Sequence, residues 1–150
     1  MQRAARSPGQ IAVVAGVTAA LLAASAFAQT AAPARKPGWW QLASRLPNGS
    51  TLTRYLCLDA ATDAAHTIFN ARPGCLPTVR KVTGGYSFTK SCDGADTTGT
   101  AVGDFSVAYT ITESRGPAKL TTAARWMGPC PADRKPGDVL MPNGAVRRLR

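Results

Sequence analysis

The placement of the four cysteines constrains this 150-residue chain more than any other feature of its sequence. All four follow a segment with the layout of a secretory signal peptide: a basic start, an apolar run over 11–24 and the small-residue exit Ala26-Phe27-Ala28. The sequence therefore predicts a leader over 1–28 that is cleaved between Ala28 and Gln29. Export would place the rest of the chain in an oxidising compartment, where an even number of cysteines is typical of disulfides.

An uncleaved membrane anchor is the alternative to cleavage. The apolar stretch over 11–28 reaches the short limit of a membrane span, but Gly16, Thr18 and Ser25 dilute it. Cleavage is favoured because the small-residue exit is well placed. We therefore expect the mature protein to lie in the periplasm of a Gram-negative cell, without stable insertion into the membrane.

The mature chain divides into three parts by composition. Residues 29–37 are predicted to be a flexible lead-in, because they have few large apolar groups to offset the entropy of ordering them. Residues 38–131 alternate strand-like runs with turn residues and are predicted to form one β-rich, disulfide-bonded domain. Residues 132–150 are basic and are predicted to be a disordered C-terminal tail.

Period-two alternation is the main secondary-structure signal in the middle of the chain. Phe105, Val107, Tyr109 and Ile111 alternate with small or polar residues, which indicates one buried face of an antiparallel strand. The run 120–126 repeats the pattern, and 59–66 is the best candidate for a helix. The sequence predicts a mainly β fold: a single antiparallel curved meander sheet or partly closed barrel of six to seven strands, with one short helix and two disulfides.

Two hairpins are predicted from their turn residues. One joins the runs 39–46 and 51–58 across Pro47-Asn48-Gly49-Ser50. The other joins 76–83 and 86–91 across Gly84-Gly85, because glycines supply the positive φ that a two-residue turn requires. A further strand is expected over 97–104.

The second hairpin indicates how the cysteines pair. With Gly84-Gly85 as the turn, Cys75 and Cys92 lie on adjacent strands within a residue or two of facing each other. Cys57, at the end of a strand, is then left to Cys130, just past the last predicted strand. Four cysteines allow three pairings, of which this one is favoured. Four thiolates could also hold a structural zinc ion, but the chain has no Cys-x-x-Cys pair.

Candidate catalytic and metal-binding groups are few. His66 is the only histidine, and no serine or acid lies near it at the spacing of a catalytic motif, so a helix-end or surface position is favoured. Asp93 and Asp96 lie in a turn-like segment that is too short and too poor in acids for a calcium loop. The sequence thus predicts no catalytic, cofactor-binding or metal-binding residues, no cofactor, and a protein that is not an enzyme.

The chain is strongly basic, with a formal net charge of +10. Its cations concentrate near the ends, and the C-terminus carries Arg147, Arg148 and Arg150. Solvated tails are the favoured interpretation, and the functional alternative is weak, salt-sensitive contact between these three arginines and anionic cell-envelope polymers. No nucleic-acid partner is expected, because basic and aromatic residues do not interleave as a stacking platform requires.

A series of short motifs resembles a family of small exported proteobacterial proteins that is known only as a domain of unknown function. The resemblance covers about residues 36–131. It implies a periplasmic β-rich domain with paired cysteines, and it implies no catalytic residues. The motifs are, in order, Pro37-Gly38-Trp39-Trp40, Tyr55-Leu56-Cys57-Leu58, Tyr86-Ser87-Phe88 before Cys92, Thr98-Gly99-Thr100 with Gly103-Asp104-Phe105, and Arg125-Trp126-Met127-Gly128-Pro129-Cys130-Pro131.

The favoured function is a non-enzymatic binding or structural role in the cell envelope. One alternative is a carrier that holds a small apolar ligand inside the curved sheet, in a cavity lined by residues such as Trp40, Phe88, Tyr109 and Trp126. Tryptophans in a sheet of this size are, however, more typical of a core. A second alternative is an enzyme of unknown class, which would need a cleft that brings His66 close to an Asp and a Ser or Thr.

Overall fold

The structure, a computed structural model, describes residues 30–69 and 74–149. The predicted leader, its cleavage site between Ala28 and Gln29, and Arg150 at the other end lie outside the described residues. The described chain contains nine β-strands and one α-helix. They are β1 (Gly38–Arg45), β2 (Thr51–Leu58), α1 (Ala60–Ala65), β3 (Thr78–Val82), β4 (Gly85–Cys92), β5 (Ala95–Asp104), β6 (Ala108–Arg115), β7 (Ala118–Gly128), β8 (Asp138–Leu140) and β9 (Val146–Arg148).

All these strands belong to one antiparallel sheet, in the order β3-β4-β5-β6-β7-β1-β2-β8-β9. From β3 to β7 each strand pairs with the next along the chain. β1 then pairs with β7 on one side and with β2 on the other, and β8 and β9 extend the sheet beyond β2. The fold class is as predicted: mainly antiparallel sheet, curled and open, with one short helix and two disulfides.

The sheet has nine strands rather than the predicted six to seven, and β8 and β9 account for the extra ones. The residues from 132 to 149 are therefore not a disordered tail. The Gly137 N–H donates to the Cys57 carbonyl at 2.8 Å, and Val139 pairs with Leu56. The segment thus satisfies backbone groups of β2 that would otherwise form an open edge. Strands of three residues are too short for alternation to reveal them in the sequence.

The segment before β1 is also part of the fold, rather than a flexible lead-in. Arg35 is only 7% exposed, and its side chain forms an ion pair with Asp63 of α1. Its backbone N–H donates to the same carboxylate at 2.8 Å. The Thr30 N–H donates to the Val79 carbonyl at 3.3 Å. The buried Arg35 side chain anchors this segment. The segment therefore belongs to the fold although it has few large apolar groups.

The helix α1 begins where its sequence predicts. The carboxylate of Asp59 accepts a hydrogen bond from the Thr62 backbone N–H at 2.7 Å and so caps the first turn. Hydrogen bonds from the Thr62 side chain and backbone also lower the pKa of Asp59. After the helix, Phe69 packs against Phe88 of β4 with ring centroids 4.7 Å apart. The helix and the residues after it therefore cover part of the concave face of the sheet.

The β3–β4 hairpin turns at Thr83 and Gly84, not at Gly84-Gly85 as predicted. Gly84 has a φ of 75°, and Gly85 opens β4 at a place where a side chain would overlap a carbonyl of β5. Continued along the chain, this register sets Cys75 opposite Cys92, and the two form a disulfide with Cα atoms 5.1 Å apart. Cys57 is bonded to Cys130, with Cα atoms 5.5 Å apart. These are the two pairs that the sequence favours.

Strand β6 begins at Ala108 rather than at Phe105. The carboxylate of Asp104 accepts hydrogen bonds from the Ser106 backbone N–H at 2.8 Å and from its hydroxyl at 2.6 Å. Such a side-chain turn competes with strand pairing. Val107, predicted to be on the buried face, is consequently 57% exposed, whereas Tyr109 and Ile111 are buried as predicted.

The core lies on the concave face and draws on most of the sheet. Alternate residues of β1, β2, β6 and β7 point inward, and the residues after α1 close over them. The buried members of the core are Trp40, Leu42, Leu56, Leu58, Ile68, Phe69, Val79, Phe88, Ala101, Tyr109, Ile111 and Ala124.

Candidate functional site

Part of the concave face carries polar side chains among the apolar ones. On β2, Leu52, Arg54, Leu56 and Leu58 share the inward side by period-two alternation, and Arg54 pairs with Leu42 of β1. On β1 and β7, the hydroxyls of Ser44 and Thr122 hydrogen-bond to each other at 2.8 Å. The inner surface is therefore amphipathic at this end of the sheet.

A cavity of about 330 Å³ lies on this part of the concave face, and we call it the concave cavity. Its volume is at the lower end of the ~300–1,000 Å³ that is typical of small-molecule sites. The strands β1, β2, β6 and β7, the residues after α1, and the C-terminal segment all contribute to its wall. Its apolar lining residues are Leu42, Leu56, Ile68, Ile111, Leu120, Val139 and Leu149, and its polar ones are Arg35, Arg54, His66, Thr67, Tyr109, Glu113 and Thr122.

Arg54 is the distinctive charged group of the concave cavity. Arg35 is paired with Asp63, and Glu113 is paired with Lys90 at 2.8 Å. Arg54 makes no ion pair within residues 30–69 and 74–149. A partly buried guanidinium needs an anion or water to offset its lost hydration, and it can bind a carboxylate or phosphate through two parallel hydrogen bonds. Arg54 is therefore the group best suited to bind an anion here.

Tyr109 lies in the wall of the same cavity, close to two guanidinium groups. Its side chain is almost fully buried, and this burial raises the pKa of the phenol above its ordinary value of 10.0. The charge of Arg35, a hydrogen bond with Arg35 and the charge of Arg54 act in the opposite direction, but burial prevails. Tyr109 is therefore a neutral phenol at ordinary pH.

Thr67 and His66 lie in the wall where the chain leaves α1. The Thr67 hydroxyl is buried and has no hydrogen-bond partner among the described residues. The His66 backbone N–H donates to the Thr62 carbonyl at 2.9 Å, and the His66 carbonyl accepts a hydrogen bond from Arg35. His66 is thus a helix-end residue. In the part of the chain that the structure describes, its imidazole has no hydrogen bond to a hydroxyl or carboxylate.

The lining that the sequence suggested for a carrier cavity is correct for one residue only. Of its four residues, Tyr109 lines the concave cavity, whereas Trp40 and Phe88 are 0% and 2% exposed within the core. Trp126 is partly buried and packs against the core, and its Nε1 donates to the Pro37 carbonyl at 3.1 Å. Lys36 lies over the Trp126 ring, with its Nζ 3.7 Å from the ring centroid. The cavity is thus built from aliphatic and polar groups rather than from tryptophans.

A second cavity of about 330 Å³ adjoins the first, and we call it the rim cavity. Glu113 and Leu120 line both cavities. The rim cavity lies between the β1–β2 and β6–β7 turns, beside the disulfide of β4. Its lining includes the cations Lys90, Arg115 and Lys119 and a single acid, Glu113. The rim cavity therefore has a surplus of positive charge.

The two aspartates considered for calcium lie at and after the turn between β4 and β5. Asp93 and Gly94 form the turn between β4 and β5, with φ of 54° and 73°, and Asp96 lies on β5. Within the described residues, no group of three or more His, Cys, Asp or Glu side chains could hold a metal ion. The same residues include no helix with the length and apolar character of a membrane span.

The C-terminal arginines lie on a strand rather than on a free tail. Arg147 and Arg148 belong to β9, and Arg148 forms an ion pair with Asp138 at 3.0 Å. A hydrogen bond from the Lys135 backbone N–H and one from Arg148 lower the pKa of Asp138. Arg150 lies outside the described residues. One of the three arginines expected to contact anionic polymers is therefore engaged within the chain.

Two of the sequence motifs contain glycines that make room for aromatic rings. Gly38 of Pro37-Gly38-Trp39-Trp40 has a φ of 138°, and a side chain there would overlap the Trp126 indole. Gly99 of Thr98-Gly99-Thr100 faces Phe88, and a Cβ there would overlap its ring. These two glycines are therefore explained by packing against aromatic rings.

Sequence reasoning missed the charged groups of the site. Arg54 continues the inward alternation of Leu52, Leu56 and Leu58, and this signal could have placed it inside the sheet. The pairing of Arg35 with Asp63 joins residues 28 positions apart, and no local pattern marks it.

The fold and the concave cavity together define a small, disulfide-linked β domain with a ligand-sized and partly cationic site. The chain belongs to the family described as "Protein of unknown function (DUF3617)", whose model matches residues 35–130, more than half of the chain. The match includes Arg54 and all four cysteines and ends before β8. Neither a curated protein nor a solved structure matches the chain. The two disulfides indicate an oxidising, extracytoplasmic environment.

Proposed function

We propose that this chain is a non-enzymatic binding protein of the cell envelope, and that it holds a small amphiphilic molecule with an anionic group in the concave cavity. The observation that carries the proposal is Arg54, a guanidinium without a carboxylate partner in the described chain, set in a cavity with a large apolar wall. The apolar body of the ligand would leave water against residues such as Leu56 and Ile111, while its anionic group would meet Arg54.

Binding is favoured over catalysis because two of the charged groups of the cavity are held in ion pairs and its phenol is protonated. Arg35 is tied to Asp63, and Glu113 is tied to Lys90. Burial keeps Tyr109 protonated. These arrangements hold the charges in place, and the His66 imidazole has no hydroxyl or carboxylate partner among the described residues with which to transfer a proton.

A periplasmic location is supported by three features of different kinds. The segment over 1–28 has the layout of a secretory leader. The two disulfides suit an oxidising compartment. The family motifs resemble small exported proteobacterial proteins. Fractionation of the native cells should place mature protein beginning at Gln29 in the periplasmic fraction.

Calorimetric titration with a ten-carbon alkyl carboxylate, decanoate, and its alcohol, decanol, tests the proposed binding. Decanoate should bind more tightly than decanol to the wild type. Arg54→Gln should weaken decanoate binding by at least about tenfold, because a charge-assisted hydrogen bond contributes ~1.5–3 kcal/mol, and should leave decanol binding unchanged. Arg45→Gln, an exposed arginine at the end of β1, is the matched control and should change neither affinity.

The proposal fails if decanoate binds no better than decanol, or if Arg54→Gln and Arg45→Gln behave alike. Native mass spectrometry of protein purified from its own periplasm complements the titration. A co-purified anionic amphiphile would support the site, and its loss in Arg54→Gln would assign it to the concave cavity.

We also propose a weak contact with anionic envelope polymers through Arg147 and Arg150. Arg147 is exposed on β9, the last strand of the sheet, whereas Arg148 is held by Asp138. Binding to vesicles of anionic lipid should be measurable at low salt and should disappear as salt is added, because exposed charges are screened. Arg147→Gln with Arg150→Gln should reduce this binding, and Arg148→Gln alone should reduce it less.

A further inference from the structure

The concave cavity and the rim cavity meet at two shared residues, and we call the two cavities together the groove. Glu113 of β6 and Leu120 of β7 pair with each other and line both cavities. The two cavities therefore meet at a single pair of facing residues, and a ligand that occupied both cavities would pass over this pair.

The charge at this meeting point is neutralised. The Glu113 carboxylate is bonded to Lys90 Nζ at 2.8 Å, and the same ammonium group donates to the Phe69 carbonyl at 3.2 Å. Both side chains of the pair are largely buried, 10% and 16% exposed. The acid is thus fixed in place beside its counter-charge, so it presents little repulsion to an anion in either cavity.

Two further cations contribute to the lining of the rim cavity. Arg115 and Lys119 lie at the end of the β6–β7 hairpin, and neither forms an ion pair with another described residue. Because Lys90 and Glu113 cancel, the rim cavity retains about two positive charges. Arg54 supplies the unpaired positive charge of the concave cavity. Positive charge therefore stands at both ends of the groove, with Leu120 between.

We infer that the groove takes one elongated ligand with an anionic group at each end and an apolar middle. This inference rests on the proposed function, since it assigns the first anionic group to Arg54. The second anionic group meets Arg115 and Lys119, and the apolar middle lies over Leu120. Two exposed cations each contribute modestly, so the second group should strengthen binding by a few-fold rather than by orders of magnitude.

The test compares decanoate with the ten-carbon dicarboxylate, decanedioate, by calorimetric titration at low ionic strength. The wild type should bind decanedioate about three- to tenfold more tightly. The double variant Arg115→Gln/Lys119→Gln should lose this preference and keep the wild-type affinity for decanoate. Lys81→Gln/Arg125→Gln, two exposed cations elsewhere on the sheet, is the control and should retain the preference.

Removing a charged carboxylate from water costs free energy. A second carboxylate should therefore weaken binding to a site that has no cation to pair with it. The inference is overturned if the wild type binds decanedioate no more tightly than decanoate, or if the preference survives in Arg115→Gln/Lys119→Gln. Failure of the proposed function has a different signature: decanoate itself would not bind, or Arg54→Gln would leave its affinity unchanged.

Discussion

At the scale of single residues, the buried ion pair between Arg35 and Asp63 links two parts of the chain that are distant in sequence. Asp63 accepts hydrogen bonds from both the backbone and the side chain of Arg35, and Arg35 also donates to the His66 carbonyl. Both side chains are nearly inaccessible to water. The pair joins the N-terminal segment to α1 and so supports one wall of the concave cavity.

Removal of one partner of this pair should be strongly destabilising. Asp63→Ala leaves the Arg35 guanidinium buried without a counter-charge, and the expected loss is about 3–5 kcal/mol in the free energy of unfolding, measured by urea denaturation. The double variant Arg35→Met/Asp63→Leu should recover much of that loss. Asp133→Ala, which removes an exposed ion pair with Arg134, is the control and should cost less than about 1 kcal/mol. A small effect of Asp63→Ala would show that the pair is unimportant.

Tyr109 should make stability fall at alkaline pH. Burial raises its pKa in the native state, so the native protein holds the phenol proton more tightly than the unfolded chain does. Its contribution is fully present below the unfolded-state pKa of about 10 and is lost as pH rises through the higher native pKa. Urea denaturation at about pH 8 and about pH 11 should reveal a smaller loss for Tyr109→Phe than for the wild type. Equal losses would contradict this assignment.

At the scale of elements, the two disulfides differ in the loops that they close. Cys57–Cys130 spans 73 residues and joins the end of β2 to the residues after β7, whereas Cys75–Cys92 spans 17 and joins the residues before β3 to the end of β4. The long-range bond constrains the whole sheet, and the short one reinforces a hairpin that already has its own register.

Loss of the long-range disulfide should therefore destabilise the protein more. The loss of chain entropy gives ceilings of about 4.4 kcal/mol for Cys57–Cys130 and about 3.2 kcal/mol for Cys75–Cys92. The variants Cys57→Ala/Cys130→Ala and Cys75→Ala/Cys92→Ala should be compared by chemical denaturation. An equal or larger loss in the second variant would mean that the hairpin depends on its disulfide to form.

The elements that the sequence predicts well are those with local signals. The hairpin of β1 and β2 follows from alternation around Pro47-Asn48-Gly49-Ser50, and α1 follows from the cap at Asp59. The sequence predictions fail where a side-chain hydrogen bond or a contact with a distant strand determines where an element begins or ends. Asp104 ends β5 by bonding Ser106, and the position of the β3–β4 turn depends on the close approach of Gly85 to β5. Neither effect leaves a signal in the hydrophobic periodicity of the sequence.

At the scale of the whole molecule, the cavities could not be predicted because they depend on how the sheet curls. Alternation assigns Arg54 and Leu120 to the inward side, but it does not say that β2 and β7 face the same cavity. The contribution of Leu149 to the lining of the concave cavity is harder still to predict, because β8 and β9 would have to be recognised first. The sequence therefore constrains the fold class far better than the site.

Truncation after Pro131 should destabilise the molecule while keeping both disulfides. Without β8 and β9, the backbone of β2 becomes an exposed edge, and Val139 and Leu149 no longer pack against the core. Their buried area corresponds to about 2–3 kcal/mol, which should lower the melting temperature by about 5–15 °C. Arg147→Gln in the full chain is the control and should melt within about 2 °C of the wild type. A truncated chain with unchanged melting temperature would show that the last two strands add no stability.

The insertion of β1 between β2 and β7 also sets an order of events in time. The strands from β3 to β7 close short loops and can pair as soon as they are made. β1 must wait for residues 118–128, although it is among the first strands to be synthesised. During that wait one side of the first hairpin has unpaired backbone groups and an uncovered Trp40, which are available to a second chain. Cys130 follows β7, so the bond between Cys57 and Cys130 cannot precede the synthesis of the second strand that pairs with β1.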